Sequence, residues 1–518
     1  MVIKLEQIYN KLLNDNGIEK DISNIDSLGI NISEYQNDFP FELKVYYQPE
    51  EDIEKKENDP ELIQFVFDKK MVKYRCVVKG TELQRNYVVL DNQTYLNMKG
   101  FSEKIKNELC CGIVCISEMS AAIALLSCFA AGVTAVPVSM RYGERHMRKI
   151  IDNVNPTCII TDKYGDLQVI YLKNNRYILP RKHPAVIMHT SGTEGNPKGV
   201  MLSEQNIYTN LLGIKEYFSI GTDDCILITR PLIHCAVMTG EFLISLIKGV
   251  RIQFCSSHFN PTETIRRISA YKANVFCGTP TILGILSRLS KMSDLTFLNT
   301  IVISGECLSR NSAEKIIQAF PHACIYHVYG LTEAGPRVCF LPPQAFNDAS
   351  DCVGIPLKNV RIKVVGPDGN DAETGEIGDL YVSGENIMLG YYNNEKLTRS
   401  VLKDGWLCTG DTAVVNKNGF LKILGRKDDM IIRSGMNIYP QEIESEIKSD
   451  SRVREVLVRG VYREGRGTEL EMLISGSFEC IDDIKKLCIK KLPLYQVPSR
   501  ITLVDDIPKN SSGKLIRG

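Results

Sequence analysis

Five short stretches of this chain hold hydroxyls, glycines and single charges close enough together to do chemistry. The densest is TSGTEGNPKG, Thr190 to Gly199. Gly192, Gly195 and Gly199 let successive amide N–H groups turn toward an anion, Ser191 and Thr193 add hydroxyl donors, and Lys198 adds a mobile positive charge. Such a loop suits a polyphosphate. It is not a Walker A loop, because Pro197 precedes the lysine and Gly199 follows it. In SGECLS, Ser304 to Ser309, Gly305 lets a flat base approach the backbone beside Glu306. In YGLTE, Tyr329 offers a flat face for a purine, Gly330 a turn, Thr332 a hydroxyl, and Glu333 a carboxylate for a divalent cation beside phosphate oxygens. Asp411, closing WLCTGD, can accept hydrogen bonds from a ribose diol. PKNSSGKLIRG sets Lys514 beside a flexible Ser/Gly turn from which it can reach into a cleft. Taken singly, each is also an ordinary turn, and Lys514 an ordinary solvated terminal lysine.

These stretches need elements to hold them at strand ends. The apolar run Ala185 to Met188 reads as a strand leading into the glycine-rich loop, and Ile301 to Ile303 as one leading into SGECLS. From about Gln93 helical runs such as Glu144 to Asn153 feed apolar strands such as Thr157 to Thr161, the order of βαβ units. After Val353 the pattern turns to short strands with Gly/Asp/Asn turns, at residues 366–370 and 416–419. From Gly425 a small mixed segment begins, in which a turn with Arg426 and Asp428 leads to a strand, Gly435, and a helix opened by Pro440. The expected organisation is a polar N-terminal extension over 1–60, a large α/β domain over 61–424, and a small α+β lid over 425–518.

The 518 residues carry 62 basic and 62 acidic side chains, so net charge gives no reason to expect nucleic acid or an anionic membrane as partner. Lys4, Glu6 and Lys11 interrupt any N-terminal leader pattern. The longest apolar stretch, Met119 to Met140, contains Gly132 and Pro137 and reads as a buried helix followed by a short strand, not a membrane span. Seventeen cysteines without CxxC pairs point to a reducing cytoplasm. His322, Cys324 and His327 make no zinc site, because on one strand 322 and 324 share a face and 327 points away.

Taken together and in this order, TSGTEGNPKG, YGLTE, WLCTGD, GRKDDMIIRSG and PKNSSGK resemble the adenylate-forming superfamily of acyl-CoA synthetases, peptide-synthetase adenylation domains and luciferases, over about residues 93–518. SGECLS, GEIGDLYVSGENIMLGYY and LPLYQVPSRI add support. The resemblance implies layered α/β sheets plus a distorted β-barrel, with a mobile C-terminal lid. It implies attack of a carboxylate on the α-phosphate of Mg·ATP to give acyl-AMP and pyrophosphate, then transfer to a thiol of coenzyme A or of an acyl or peptidyl carrier protein. On this pattern Thr190 to Lys198 hold the phosphates, Glu333 and Thr190 the Mg²⁺, Gly305, Glu306, Tyr329 and Gly330 the adenine, and Asp411 with Arg426 the ribose. Lys514 matches the lysine that stabilises charge on the α-phosphate, Asp428 the hinge, and Gly435 the segment that enters the thiol channel. Two departures stand out: Ile432 replaces a lysine many relatives carry, and Glu194 puts a negative charge among the phosphate donors.

For the acid, PLIHCAVMTG is the informative segment. His234 matches a histidine lining the acid pocket in acyl and aryl ligases, and a satisfied core histidine is the plainer alternative. Cys235 stands where amino-acid activators carry an aspartate for the substrate ammonium. Together with Ala236, Met238, Thr239 and Gly278 it gives a mainly apolar wall, suited to a fatty or aryl acid. An amino-acid activator and a catalytically silent ligand-binding relative are the alternatives. The first lacks its countercharge, and the second has no need for Lys514, Glu333, Asp411 and Arg426 together.

Overall fold

The computed structural model describes residues 43–47, 63–64, 74–78, 87–90, 100–139, 144–163, 167–172, 177–190, 197–255, 260–290, 295–433, 436–463 and 467–507. Ser191, Gly192, Thr193, Gly435, Lys514 and most of the 1–60 extension lie outside them. The fold is α/β, with a separate α+β unit at the C-terminal end. Ahead of the main body, four strands pair in the order Leu43–Tyr47, Tyr74–Val78, Tyr87–Leu90, Ile63–Gln64.

Two seven-stranded sheets form the body. The first runs Gly390–Tyr391, Lys198–Leu202, Val186–Thr190, Thr134–Ser139, Cys110–Cys115, Cys158–Thr161, Gln168–Tyr171. The second runs Arg251–Phe254, Cys225–Ile228, Val275–Gly278, Thr300–Ile303, Cys324–Gly330, Arg337–Leu341, Ile355–Pro356. In the second sheet the first five strands are parallel. Their sequences CILI, VFCG and TIVI are continuous apolar runs because both faces are covered, and every residue in them is buried. Parallel strands end together, so the loops after Ile228, Gly278, Ile303 and Gly330 collect at one edge, where ligands of open α/β sheets bind.

The apolar stretch near Met119 is a helix, Glu118–Ala131, capped by the Ser117 hydroxyl on Ser120 N and ended by left-handed Gly132 (φ 67°), followed by the strand Thr134–Ser139. Among the described residues no helix is long and apolar enough to cross a membrane. A third, antiparallel sheet joins Val360–Val365, Ile377–Gly384, Trp406–Val415 and Leu402–Lys403, with Leu421–Arg426 on the far side of Trp406–Val415. Beyond it the hairpin Ile431–Arg433/Met436–Ile438, the helices Pro440–Lys448 and Ile481–Lys491, and the sheet Val453–Arg463, Gly467–Gly476, Arg500–Leu503 share a core from Ile431 to Ile501.

Candidate active site

All three sheets of the body send residues to the edge defined by the parallel strand ends. From the first sheet comes an antiparallel pair in which Thr190 and Lys198 are register partners. Both ends of the glycine-rich loop are thereby held opposite each other. The same sheet supplies Tyr391, paired with Val200. The Tyr391 hydroxyl donates to Glu333 Oε1 at 2.8 Å and fixes that carboxylate beside the hairpin. Tyr391 sits in the supporting motif GEIGDLYVSGENIMLGYY, but only the cross-sheet pairing gives it a partner.

The second sheet supplies Gly278, Ser304, Gly305, Tyr329, Gly330 and the short helical turn Thr332–Ala334. Ser304 N donates to Gly278 O at 3.0 Å, which ties two of these loops together. Gly330 has no room for a side chain: a Cβ there would lie 1.9 Å from Pro336 O. Glu306 is exposed, its Oε2 accepting from Thr281 N at 3.2 Å and Thr281 Oγ1 at 2.7 Å. These bonds join the loop after Ile303 to the loop after Gly278.

From the third sheet Asp411 and Arg426 face each other as register partners. Arg426 Nη1 lies 3.4 Å from Asp411 Oδ1 and donates to Thr409 O at 3.0 Å. The Tyr329 hydroxyl donates to Asp411 Oδ2, joining YGLTE to WLCTGD. Burial pushes the Asp411 carboxyl above its usual range, against the pull of Arg426 and the Tyr329 hydroxyl. Burial also pushes the Tyr329 phenol up, which keeps it a donor.

Next to this cluster, His234 stands at the N-cap position of the turn Cys235–Val237, which continues into a π-helical segment, Met238–Leu243. Segments of this kind recur at functional sites. Cys235 and Thr239 are buried, and burial raises the Cys235 thiol to about 12. Asp428 lies in the turn Lys427–Asp429, where Lys427 Nζ meets Asp379 Oδ2 at 2.6 Å. The C-terminal unit rests on the body through Lys448 Nζ on Thr281 Oγ1 (3.0 Å) and Lys315 Nζ on Ser449 O (2.9 Å).

The site can take a nucleotide: donors at the hairpin, a flat tyrosine, and a carboxylate–guanidinium pair that accepts and donates to a diol. A single fixed carboxylate, Glu333, fits Mg²⁺, which keeps waters and phosphate oxygens as its other ligands. Among the described residues no cluster of three His, Cys, Asp or Glu side chains offers an all-protein metal cage.

Comparison with known proteins agrees. Residues 99–392 match the AMP-binding enzyme family and residues 442–514 the AMP-binding enzyme C-terminal domain. The chain belongs to this family of AMP-dependent synthetases and ligases. It is 30% identical over 358 residues to a long-chain-fatty-acid–CoA ligase of Haemophilus influenzae, covering 67% of this chain and 63% of the relative. A mitochondrial medium-chain acyl-CoA ligase of Mus musculus is 33% identical over 362 residues, covering 66% and 58%. The chain thus spans about 60% of the length of the curated relatives it matches. The fold is also that of O-succinylbenzoate coenzyme A synthetase from Bacillus subtilis in complex with AMP, with TM-score 0.74, 22% identity, and 91% and 98% of the two chains covered.

Proposed function

We propose that this protein activates a carboxylic acid with ATP, forming acyl-AMP and pyrophosphate, and passes the acyl group to a phosphopantetheine thiol of coenzyme A or of a carrier protein. The observation that carries the reading is the meeting of Tyr329, Asp411 and Arg426 beside Glu333 and the Thr190/Lys198 hairpin. Adenine lies along Tyr329 and the backbone at Gly305 and Gly330. The ribose diol donates to Asp411, which Arg426 and the Tyr329 hydroxyl hold in place. The hairpin donors and Lys198 take the β- and γ-phosphates, with Thr332 at the turn beneath them.

Bound at Glu333 and Thr190, Mg²⁺ would offset charge on the phosphate oxygens. The acid lies against His234, Cys235, Thr239 and Gly278, and its carboxylate oxygen attacks the α-phosphorus while pyrophosphate leaves. The barrier lies in charge building on the α-phosphate, and Lys514 is the group proposed to meet it. Turning the unit beyond Gly425 about Asp428 then exchanges Lys514 for the Gly435 segment and opens a path for the thiol. The acid has an apolar fatty or aryl body, and the absence of a countercharge at Cys235 disfavours an α-amine.

The test is ATP–pyrophosphate exchange across fatty, aryl and amino acids, followed by thioester formation with coenzyme A. Exchange with an acid lacking an α-amine supports the reading. Exchange with none removes it. Lys514→Ala should lower acyl-AMP formation at least about a hundredfold while leaving conversion of supplied acyl-AMP to thioester nearly unchanged; equal loss of both would reject the role of Lys514.

A further inference from the structure

Behind the acid wall lies a charged cluster that the steps above leave unused. Arg230 leaves the end of the strand Cys225–Ile228, and its Nη2 pairs with Glu241 Oε1. Glu241 is fully buried on the π-helical segment, with 0% exposure. Arg337, 4% exposed, packs its guanidinium on the same segment, where a Cβ at Gly240 would come within 2.5 Å of its Nη2. Two guanidinium groups thus face one carboxylate. The thiols of Cys235 and Cys277 add no negative charge, since burial raises both.

The hydrogen bonding is incomplete in a way that points to a ligand. Arg230 Nε, Arg337 Nε and Glu241 Oε2 are buried and have no partner. Buried polar atoms rarely stay unpaired, and these three belong to the ion-pair cluster. Arg230 is the member that reaches outward, its side chain 16% exposed. Its Nη1 has only a long contact, 3.3 Å, to Ser304 Oγ, whose backbone N–H bonds to Gly278 of the acid wall. A carboxylate would form a shorter, charge-assisted bond there and displace that hydroxyl.

We propose that Arg230, backed by Arg337, selects an acid with a second carboxylate at the end of its apolar body remote from the reacting one. This rests on the acid-activating reading above. Glu241 is a positioning residue: it holds Nη2 so that Nη1 faces the pocket.

Exchange assays on the full chain should compare α,ω-dicarboxylic acids with their monomethyl esters and with monocarboxylic acids of equal length. The dicarboxylic acids should lead by about tenfold or more in kcat/KM, the scale of one charge-assisted hydrogen bond. The double variant Arg230→Gln/Glu241→Gln, which strands no buried carboxylate, should erase that lead and raise KM for the diacid while KM for ATP holds. Arg230→Lys should keep part of it. Preference for the ester or monoacid in the unmodified protein overturns the inference, as does a lead that survives the double variant or an effect confined to ATP. Should the double variant not fold, the diacid-to-ester ratio of the unmodified protein decides alone. Failure of the underlying reading looks different: no acid of any kind supports exchange.

Discussion

A single phenolic hydroxyl joins two sequence motifs at the centre of the site, and its removal has a defined cost. Tyr329→Phe leaves Asp411 Oδ2 buried without its donor, so the carboxylate proposed to hold the diol is less well ordered. KM for ATP in the exchange assay should rise about tenfold, with KM for the acid little changed. His327 offers a test of the scaffold. It is 2% exposed, and its Nδ1 lies 3.0 Å from Ser350 O and 2.8 Å from Cys352 O, so that nitrogen carries the proton. Burial lowers its pKa from 6.5 to about 4. The neutral ring is therefore the stabilised form: its contribution is complete above pH 6.5 and is lost as pH falls toward 4. Between pH 8 and pH 5 the loss should be about 2 kcal/mol by urea unfolding, and His327→Gln should flatten that slope. Tyr329, Asp411 and Glu333 were legible from their motifs. Tyr391, Arg230 and Arg337 were not, because each gains its partner only when separate strands and helices meet.

Strands and helices explain why the motifs work at a distance from one another. Apolar runs such as TIVI identify buried strands without an alignment, because a parallel strand covered on both faces can hold little else. Which edge they share, and which hydroxyl crosses from the first sheet to Glu333, depends on pairing order, and periodicity carries no record of that. Glycine substitutions separate positions that need the residue from positions that tolerate it. Gly330→Ala drives a methyl into Pro336 O and should cost about 3 kcal/mol or prevent folding. Gly284, inside the helix Pro280–Leu289, has nothing within 4 Å of a built Cβ, and Gly284→Ala should add about 0.5–1 kcal/mol. Urea midpoints measure both.

For the whole molecule, the informative contacts are those between the C-terminal unit and the body. Lys448 on Thr281 and Lys315 on Ser449 belong to this one orientation of the unit. The double variant Lys315→Ala/Lys448→Ala should therefore favour whichever half-reaction uses another orientation. The ratio of acyl-AMP formation to thioester formation from supplied acyl-AMP should move about twofold to tenfold, on the scale of a few weak polar contacts, with the urea midpoint of the body unchanged. An unchanged ratio would mean these contacts do not weigh on the equilibrium. Thr281 has a further part: its backbone and hydroxyl hold Glu306, so one residue stitches the loop after Gly278 to the loop after Ile303 and also supports the C-terminal unit. In the proposed reading the first loop borders the acid and the second the adenine. An acid that reshapes them on binding would change the strength of docking, and by thermodynamic reciprocity docking would change the dwell time of the acid by an equal free energy.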